Sequence, residues 1–398
     1  MKKKIFIEAH YLEIGGAEIS LIGLLNAIDY SKYEVDLFLC EHRGDLLHLV
    51  PKEVNILLEV PEYAQLEKPI KKVIKSGFWK IAFGRLKARL LYLLWSLQQK
   101  DSFSEGLYEF VDRETVKYLP SLYHLGHYDL ALNFISAKSH IPSKVLANRT
   151  ATWIHTDIGS ANLPSIEYNR WDAFDFIVSI SEEVSNSFLK IFPNLKDKII
   201  LIENILSREF IENQSKEAGV SFDTNDINLL SIGRFCYAKN YDNVPDIAKL
   251  LVKRGIKNLK WYIIGFGPDE NFIKEKIKEA QMENHVIMLG KKNNPYPYIK
   301  ACDIYVQPSR YEGKSVTVRE AQMLNKPVAV TNYPTATSQV KSGIDGIIVP
   351  MDNEGCANAL ASFIENKKLR KQLSENCKSK DFSNIDEVNK IYSLLTLS

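Results

Sequence analysis

The stretch Leu229-Leu230-Ser231-Ile232-Gly233-Arg234-Phe235-Cys236-Tyr237-Ala238-Lys239 decides the fold. A short apolar run of strand character stops at a glycine, and a loop follows. Val244, Ile247, Ala248 and Leu251 then recur at the spacing of one helix face, and Gly255 ends that helix. A strand that exits through glycine into a helix is the repeating unit of a parallel sheet with crossover helices. Downstream the rhythm continues, with strands expected at Lys260 to Ile264, His285 to Leu289, Ile304 to Gln307 and Val328 to Thr331.

Upstream lies a second series of similar size. Lys4 to Ala9 reads as a strand, and after Gly15-Gly16 the residues Leu21, Leu24, Leu25 and Ile28 mark a helix face. Glu34 to Cys40, Val54 to Leu58, Tyr128 to Phe134, Thr150 to His155 and Phe176 to Ile180 read as further strands, with Ser181 an N-cap for the next helix. At 398 residues the chain exceeds the size at which single cores stop growing, so two α/β domains are expected. Their boundary is expected in Ile205 to Asn225, which is polar and rich in turn formers.

Bulk properties narrow the function classes. Hydrophobic residues make up 45% and charged residues 25%, which is ordinary for a globular protein. A net charge of +2 is too near neutral to argue for nucleic acid as a partner. The five cysteines (Cys40, Cys236, Cys302, Cys356 and Cys377) form no CxxC pair, which suggests neither a zinc site nor a disulfide framework and fits a reducing cytoplasm. The apolar run after Lys2-Lys3-Lys4 is broken by Glu8 and His10, so no secretory leader is expected, and no stretch is apolar for long enough to span a membrane.

One segment breaks the rhythm. Lys68 to Lys100 holds nine Lys or Arg residues, no Asp or Glu, and many large apolar residues from Phe78-Trp79 to Trp95. It reads as one or two basic amphipathic helices, a composition suited to an anionic bilayer surface. A helix packed on its own domain with its lysines in water has the same composition.

Chemistry concentrates at the strand exits. Gly15-Gly16 opens a helix, where backbone can approach a phosphate or sugar; the pattern is not GxGxxG, and no GxxxxGK[ST] occurs. Gly233-Arg234 and Lys239 place two cations at the carboxyl end of a parallel strand, where open α/β sheets bind ligands. There they could neutralise a diphosphate without a metal, and no DxD sequence is present. In Tyr311-Glu312-Gly313-Lys314-Ser315-Val316-Thr317-Val318-Arg319-Glu320-Ala321, Glu312 falls in a loop and Glu320 in the helix beginning near Ser315. A loop carboxylate suits sugar hydroxyls, a helix carboxylate suits a ribose, and the amides of Ser315 to Thr317 suit a phosphate.

Gly15-Gly16, Gly233-Arg234 with Lys239, Gly265-Phe266-Gly267-Pro268, and Glu312 with Glu320 after seven intervening residues follow the order seen in retaining GT-B glycosyltransferases. More narrowly, the chain resembles glycosyltransferase family four, whose members build bacterial surface polysaccharides and glycolipids. The resemblance is strong from about Leu229 to Pro350 and looser before it. It implies an α/β GT-B fold, two Rossmann-like domains with parallel sheets facing a cleft. The acceptor-binding domain would span 1–205 with an insert at about 68–100, and the donor-binding domain 206–380. A terminal segment, 381–398, would return to the first domain with a helix at Asp386 to Leu395.

By position, Arg234 and Lys239 would hold the donor diphosphate, Glu320 the ribose, and Glu312 the donor sugar. Ser315, Val316 and Thr317 would cap the phosphate, with Gly15, Gly16 and Gly265 lining the site. The Gly290-Lys291-Lys292 turn would lie near the base, and His155 would match the family's cleft histidine beside the transferred sugar. Lys314 stands where the family usually has a small or apolar residue, and would touch the diphosphate or an acidic sugar. Ile205 replaces the glycine that usually follows the interdomain asparagine, here Asn204. The activity implied is metal-independent hexosyl transfer with retention, from a UDP-hexose or UDP-N-acetylhexosamine to a glycan or lipid-linked acceptor. No cofactor is implied, and the setting is cytoplasmic, peripheral on an anionic membrane. Two rivals share the fold: a nucleotide-sugar epimerase, and a non-catalytic donor-binding subunit of a glycosyltransferase complex.

Overall fold

The structure, a computed structural model, describes residues 2–13, 15–97, 107–155, 166–217 and 219–396. Ile14, residues 98–100 of the basic segment, 218 in the expected boundary and 397–398 lie outside the described residues. The chain divides into two units, one of Met1–Ile205 with Ile385–Ser398, the other of Leu206–Asn384.

The first unit is built on a parallel sheet of β1 (Lys3–Ala9), β2 (Tyr33–Leu39), β3 (Asn55–Ile56), β4 (His127–Asn133), β5 (Leu146–Ile154), β6 (Phe176–Ser179) and β7 (Ile199–Leu201). Its strand order is β3-β2-β1-β4-β5-β6-β7. Consecutive residues Ile5, Phe6 and Ile7 are all buried, as expected of a strand covered on both faces. Phe6 stacks on Phe38 at 5.8 Å and meets the edge of Tyr128 at 5.2 Å. The helix Gly16–Ala27 buries Leu21, Leu24 and Leu25. Ser181 caps the helix Glu182–Ile191 by accepting from the Val184 amide at 3.2 Å. The Val54 to Leu58 run shortens to β3, because Asn55 and Ile56 sit exposed at the sheet edge and only Val54 is buried.

The basic segment forms two helices, Ile70–Lys75 and Trp79–Ser96. The second rests on the helix Leu107–Thr115 and buries Ile81, Ala82, Arg85 and Ala88. Arg85 is therefore not a surface charge: its guanidinium donates to the carbonyls of Gln65 (2.9 Å) and Lys68. Trp79, Phe83, Leu86, Leu90, Leu93 and Leu97 all stay exposed, spaced 4, 3, 4, 3 and 4 apart along one helix face. Among the described residues no helix is long and apolar enough to cross a membrane.

The chain end belongs to the first unit. A 3-10 turn, Ile385–Glu387, leads into the helix Val388–Leu394, which buries Val388, Ile391 and Leu394. Tyr392 stacks on Tyr33 at 4.1 Å, and its hydroxyl accepts from the Asp29 amide at 2.8 Å.

The second unit holds a six-stranded parallel sheet of β8 (Ile227–Ile232), β9 (Leu259–Ile264), β10 (Val286–Gly290), β11 (Ile304–Gln307), β12 (Val328–Thr331) and β13 (Ile347–Val349). The order is β10-β9-β8-β11-β12-β13. Alternation along β8 feeds two cores: Leu229 joins Trp261, Ile263 and Val306, while Leu230 and Ile232 join Tyr305, Val328 and Val330. Truncating such a fully buried leucine to alanine costs about 2–5 kcal/mol. The polar Ile205 to Asn225 stretch is not a linker throughout. It contains the helix Arg208–Gln214, whose Ile211 joins Leu206 in the second core, so the boundary falls at its first residue. Its polar composition hid this because only one helix face is buried.

Candidate functional site

In the second sheet β8 lies between β9 and β11, so connections leave it in opposite directions. That reversal sends the connections after β8 and β11 to opposite faces of the sheet, and ligands of such sheets bind in the crevice at that point. The loop after β8 carries Arg234 and Lys239, and the loop after β11 carries Glu312.

Several contacts fix these two loops together. Asn240, left-handed at φ 61°, donates from Nδ2 to the Pro308 carbonyl at 2.8 Å. The Arg310 amide donates to the Ala238 carbonyl at 2.8 Å. The Arg310 guanidinium holds both Asp242 oxygens, at 2.9 and 2.6 Å, and lies 4.1 Å above the Tyr237 ring. Lys239 is thereby brought 2.6 Å from Glu312 Oε1. The same oxygen accepts from Ser309 Oγ at 2.6 Å and from Gln307 Nε2 at 3.1 Å. Arg234 behaves differently: its side chain is exposed and pairs with no described residue. The site therefore presents one open cation and one held against a carboxylate.

The helix Val316–Met323 begins after Ser315, with Gly313 and the partly buried Lys314 in the preceding loop. The Ser315 amide donates to Gln339 Oε1 at 2.8 Å, and Gln339 Nε2 returns a bond to the Ser315 carbonyl at 2.9 Å. Of the three amides expected to cap a phosphate, Ser315 is thus occupied by Gln339, and Val316 and Thr317 are the first-turn donors. The Thr317 hydroxyl is 2.7 Å from that of Tyr305. Glu320 is buried, accepts from the Tyr296 hydroxyl at 2.9 Å, and is pushed up to about 7 by loss of solvent. Near neutral pH this carboxyl is poised between its two protonation states.

Gly265 and Gly267 follow β9 at φ +155° and +158°. A Cβ at either would strike the chain leaving β8, at the Gly233 carbonyl and the Phe235 backbone respectively. Their glycine requirement is thus met by loop-on-loop packing. The Gly265 amide also donates to the Gly290 carbonyl at 3.1 Å, and Lys292 Nζ lies 5.7 Å from the Tyr298 ring.

The remaining expected residues lie in the first unit. Gly15 stands at the N-cap of the helix beginning at Gly16, with the Glu18 carboxylate folded against it. His155 directly follows β5, and its Nε2 is 2.5 Å from the Phe134 carbonyl. A carbonyl only accepts, so Nε2 carries the proton and Nδ1 is the ring's acceptor. Burial lowers the His155 pKa to about 4, so the ring is neutral.

Sequence reasoning missed Gln307, Ser309, Arg310, Asp242 and Tyr296. The signal available was Gln307-Pro308-Ser309, polar residues at the end of an apolar strand; nothing marks Arg310 and Asp242 as partners. It also missed a buried cluster where β1 and β4 adjoin in the first unit. There Glu8 accepts from Asn133 Nδ2 and lies 3.3 Å from Cys40 Sγ and 3.7 Å from His140 Nε2.

Comparison with known proteins bears on the unit that carries these loops. Residues 212–380 match the family described as glycosyl transferases group 1. An uncharacterized glycosyltransferase of Methanocaldococcus jannaschii is 29% identical over 269 residues, 62% of this chain and 66% of its own length. The N-acetylgalactosamine-N,N'-diacetylbacillosaminyl-diphospho-undecaprenol 4-alpha-N-acetylgalactosaminyltransferase of Campylobacter jejuni is 28% identical over 175 residues, 43% of this chain and 46% of its own length. The chain thus spans between about half and two thirds of the length of these relatives. HepE of Anabaena, solved with UDP and glucose, superposes with a TM-score of 0.66 at 15% identity, over 99% of this chain and 100% of that one. At that identity the likeness speaks for the fold. The chain accordingly has the GT-B fold, and its residues 212–380 are similar to the glycosyl transferases group 1 family.

Proposed function

We propose that the chain is a retaining, metal-independent glycosyltransferase that moves a hexose or N-acetylhexosamine from a UDP-sugar to a glycan or lipid-linked acceptor in surface polysaccharide assembly. The observation that carries this reading is the meeting of Lys239 and Glu312 beside Arg234, where the sheet order reverses. A cation pair beside a hydrogen-bonded carboxylate suits a ligand that joins a diphosphate to a polyol. HepE, which shares the fold, was solved with UDP and glucose, and the Campylobacter relative is named for a diphospho-undecaprenol acceptor.

In this reading Arg234 and Lys239 take the charge that develops on the leaving diphosphate, with the Val316 and Thr317 amides and the positive end of their helix. The C1–O bond to the diphosphate breaks, and a bond from C1 to the acceptor oxygen forms on the same face. The acceptor's hydroxyl proton passes to the departing phosphate oxygen, so no protein nucleophile is required. Glu312 holds the donor sugar and Glu320 the ribose. Gly265, Lys292 and Lys314 complete the donor surface of the second unit.

The exposed apolar line on Trp79–Ser96, with Lys71, Lys72, Lys75, Lys80, Lys87 and Arg89 exposed on the same two helices, is assigned to an anionic membrane surface. In this reading the enzyme works peripherally on the cytoplasmic face. UDP release from a panel of UDP-hexoses, with and without EDTA, tests the activity, and the anomeric coupling of the product by NMR tests retention. An absolute need for Mg²⁺ or Mn²⁺ overturns the metal-free account, and an inverted product overturns retention.

A further inference from the structure

The carboxylate of Glu312 has three donors, all on one oxygen. Lys239 Nζ and Ser309 Oγ reach Oε1 at 2.6 Å, and Gln307 Nε2 reaches it at 3.1 Å. Two of the three come from the end of β11 and are fully buried. Behind them the arrangement continues inward. Gln307 Oε1 faces the Tyr305 hydroxyl at 2.7 Å, which orients the amide with Nε2 outward, and Nε2 also donates to Ser309 Oγ at 2.8 Å. Tyr305 in turn meets the Thr317 hydroxyl at 2.7 Å. The Thr331 hydroxyl donates to the Ser309 carbonyl at 2.5 Å, tying the end of β11 to the end of β12.

These donors run in one direction, from Tyr305 through Gln307 and Ser309 to the carboxylate. Each bond in such a chain polarises the next, and the last acceptor is an ion, where hydrogen bonds are strongest. The rest of β11 is apolar at Ile304 and Val306, so filling this strand end with amide and hydroxyl groups needs a separate reason. Fixing Oε1 by two buried neutral donors also fixes where Oε2 lies. Lys239 cannot do this alone, because a lysine drawn to a bound diphosphate would leave the carboxylate to turn.

We propose that Gln307 and Ser309 are positioning residues that keep the Glu312 carboxylate in place for the donor sugar when Lys239 moves from it to the diphosphate. The proposal rests on the reading of Glu312 as the sugar-holding carboxylate. Gln307 and Ser309 touch neither donor nor acceptor; they act through Glu312, which they hold independently of the cation.

The test compares the affinity of UDP with that of UDP-glucose, UDP-galactose and UDP-N-acetylglucosamine by calorimetry. It uses the full chain as wild type, Ser309→Ala, Glu312→Gln and the double variant, with Gln307→Met as a second probe if Ser309→Ala fails to fold. Ser309→Ala is expected to leave UDP affinity within about twofold while reducing the affinity added by the hexose about tenfold, the scale of one bond to a charged group. In the Glu312→Gln background the same change is expected to add nothing. Equal losses in both backgrounds, or a loss on UDP itself, overturn the positioning role. If wild type binds UDP but gains nothing from any hexose, the sugar-holding reading of Glu312 fails, and the positioning role falls with it.

Discussion

The two units share a plan and differ in what they do with their polar residues. Each has a parallel sheet with a reversal in strand order, between β1 and β4 in the first and between β8 and β11 in the second. At the first reversal the polar groups turn inward: Glu8, Asn133, Cys40 and His140 are buried against one another. Burial pushes Glu8 up to about 7 and His140 down to about 4, so both tend to neutrality. At the second reversal the polar groups face a loop crevice, with Lys239 on Glu312, Arg310 on Asp242, and Arg234 open. The same edge geometry thus yields a closed, neutral corner in one unit and an anion-ready corner in the other. Diphosphate binding should depend on the second corner.

The most severe break of that contrast is removal of the open cation. Arg234→Ala is expected to cost roughly 2–4 kcal/mol of transition-state stabilisation, the scale seen when one preorganised donor is lost. The loss should appear in kcat/KM of UDP-sugar turnover with unchanged melting temperature, because Arg234 makes no contact the fold needs. A variant with wild-type kcat/KM would return the second corner to the rank of ordinary surface.

Next in size is the pH dependence of the second unit. Glu320 is raised from 4.5 to about 7, so between those values the folded chain holds a proton that the unfolded chain has lost. Stability from this group is therefore full below about pH 4.5 and falls as pH rises through 7, by about 2 kcal/mol between pH 5 and 7. His10, His140 and His155, lowered by burial, work in the opposite direction, losing stability as pH falls below 6.5. They are common to wild type and Glu320→Gln and cancel in the comparison. In urea unfolding, Glu320→Gln should gain on wild type by that amount from pH 5 to 7. A pH-independent difference would mean the carboxyl is solvated.

The two glutamates should also separate in kinetics, each by about tenfold. Glu320 is assigned to the ribose, which does not change during transfer, so Glu320→Gln should chiefly raise donor KM. Glu312 is assigned to the sugar, whose ring reshapes at C1, so Glu312→Gln should lower kcat as well. Near-wild-type constants for both variants would remove the site assignment.

How far this was legible in the sequence depends on how local each cause is. Leu229 to Ile232 and Val244 to Leu251 announced strand and helix because the two periodicities are set by neighbours in sequence. Arg234, Lys239 and Glu312 were legible as charged residues at strand exits, and Glu320 as a charge in the helix that follows. The Lys239–Glu312 bond was not, since it spans 73 residues and is set by Asn240 on Pro308 and by Arg310 on Asp242. Two buried polar ties, rather than any pattern, decide which loops touch. The helix Arg208–Gln214 was hidden for the converse reason: Ile211 is its one buried side chain, and its remaining residues look like linker. In the basic segment, composition announced an amphipathic helix but not its faces. Ile81, Ala82 and Ala88 took the packed side, with Arg85 Nη1 bonded to two carbonyls, and the larger apolar residues were left outside.

That outward line yields the smallest expected effect and the sharpest test of the first unit's surface. Trp79, Phe83, Leu86, Leu90, Leu93 and Leu97 form a continuous exposed seam on one helix face, with Trp79 65% and Leu97 75% exposed. A second copy of this seam is a poor partner. Lys87 is held by Glu114 at 2.8 Å, and the flanking charges Lys80 and Arg89 are both positive, so two such helices would repel. An anionic bilayer satisfies both features, since it accepts the apolar residues and attracts the lysines. Each lysine near such a surface contributes about 1 kcal/mol, screened over about 10 Å at 0.1 M salt. Lys71→Gln, Lys72→Gln and Lys75→Gln should each weaken flotation with phosphatidylserine vesicles about fivefold at low salt. Leu86→Gln with Leu90→Gln should weaken binding that survives high salt, because apolar insertion is not screened. Neither change should alter UDP affinity, which belongs to the other unit. Indifference of the wild-type protein to anionic vesicles at low salt would leave the seam as plain surface and confine the comparison to the two strand-edge corners.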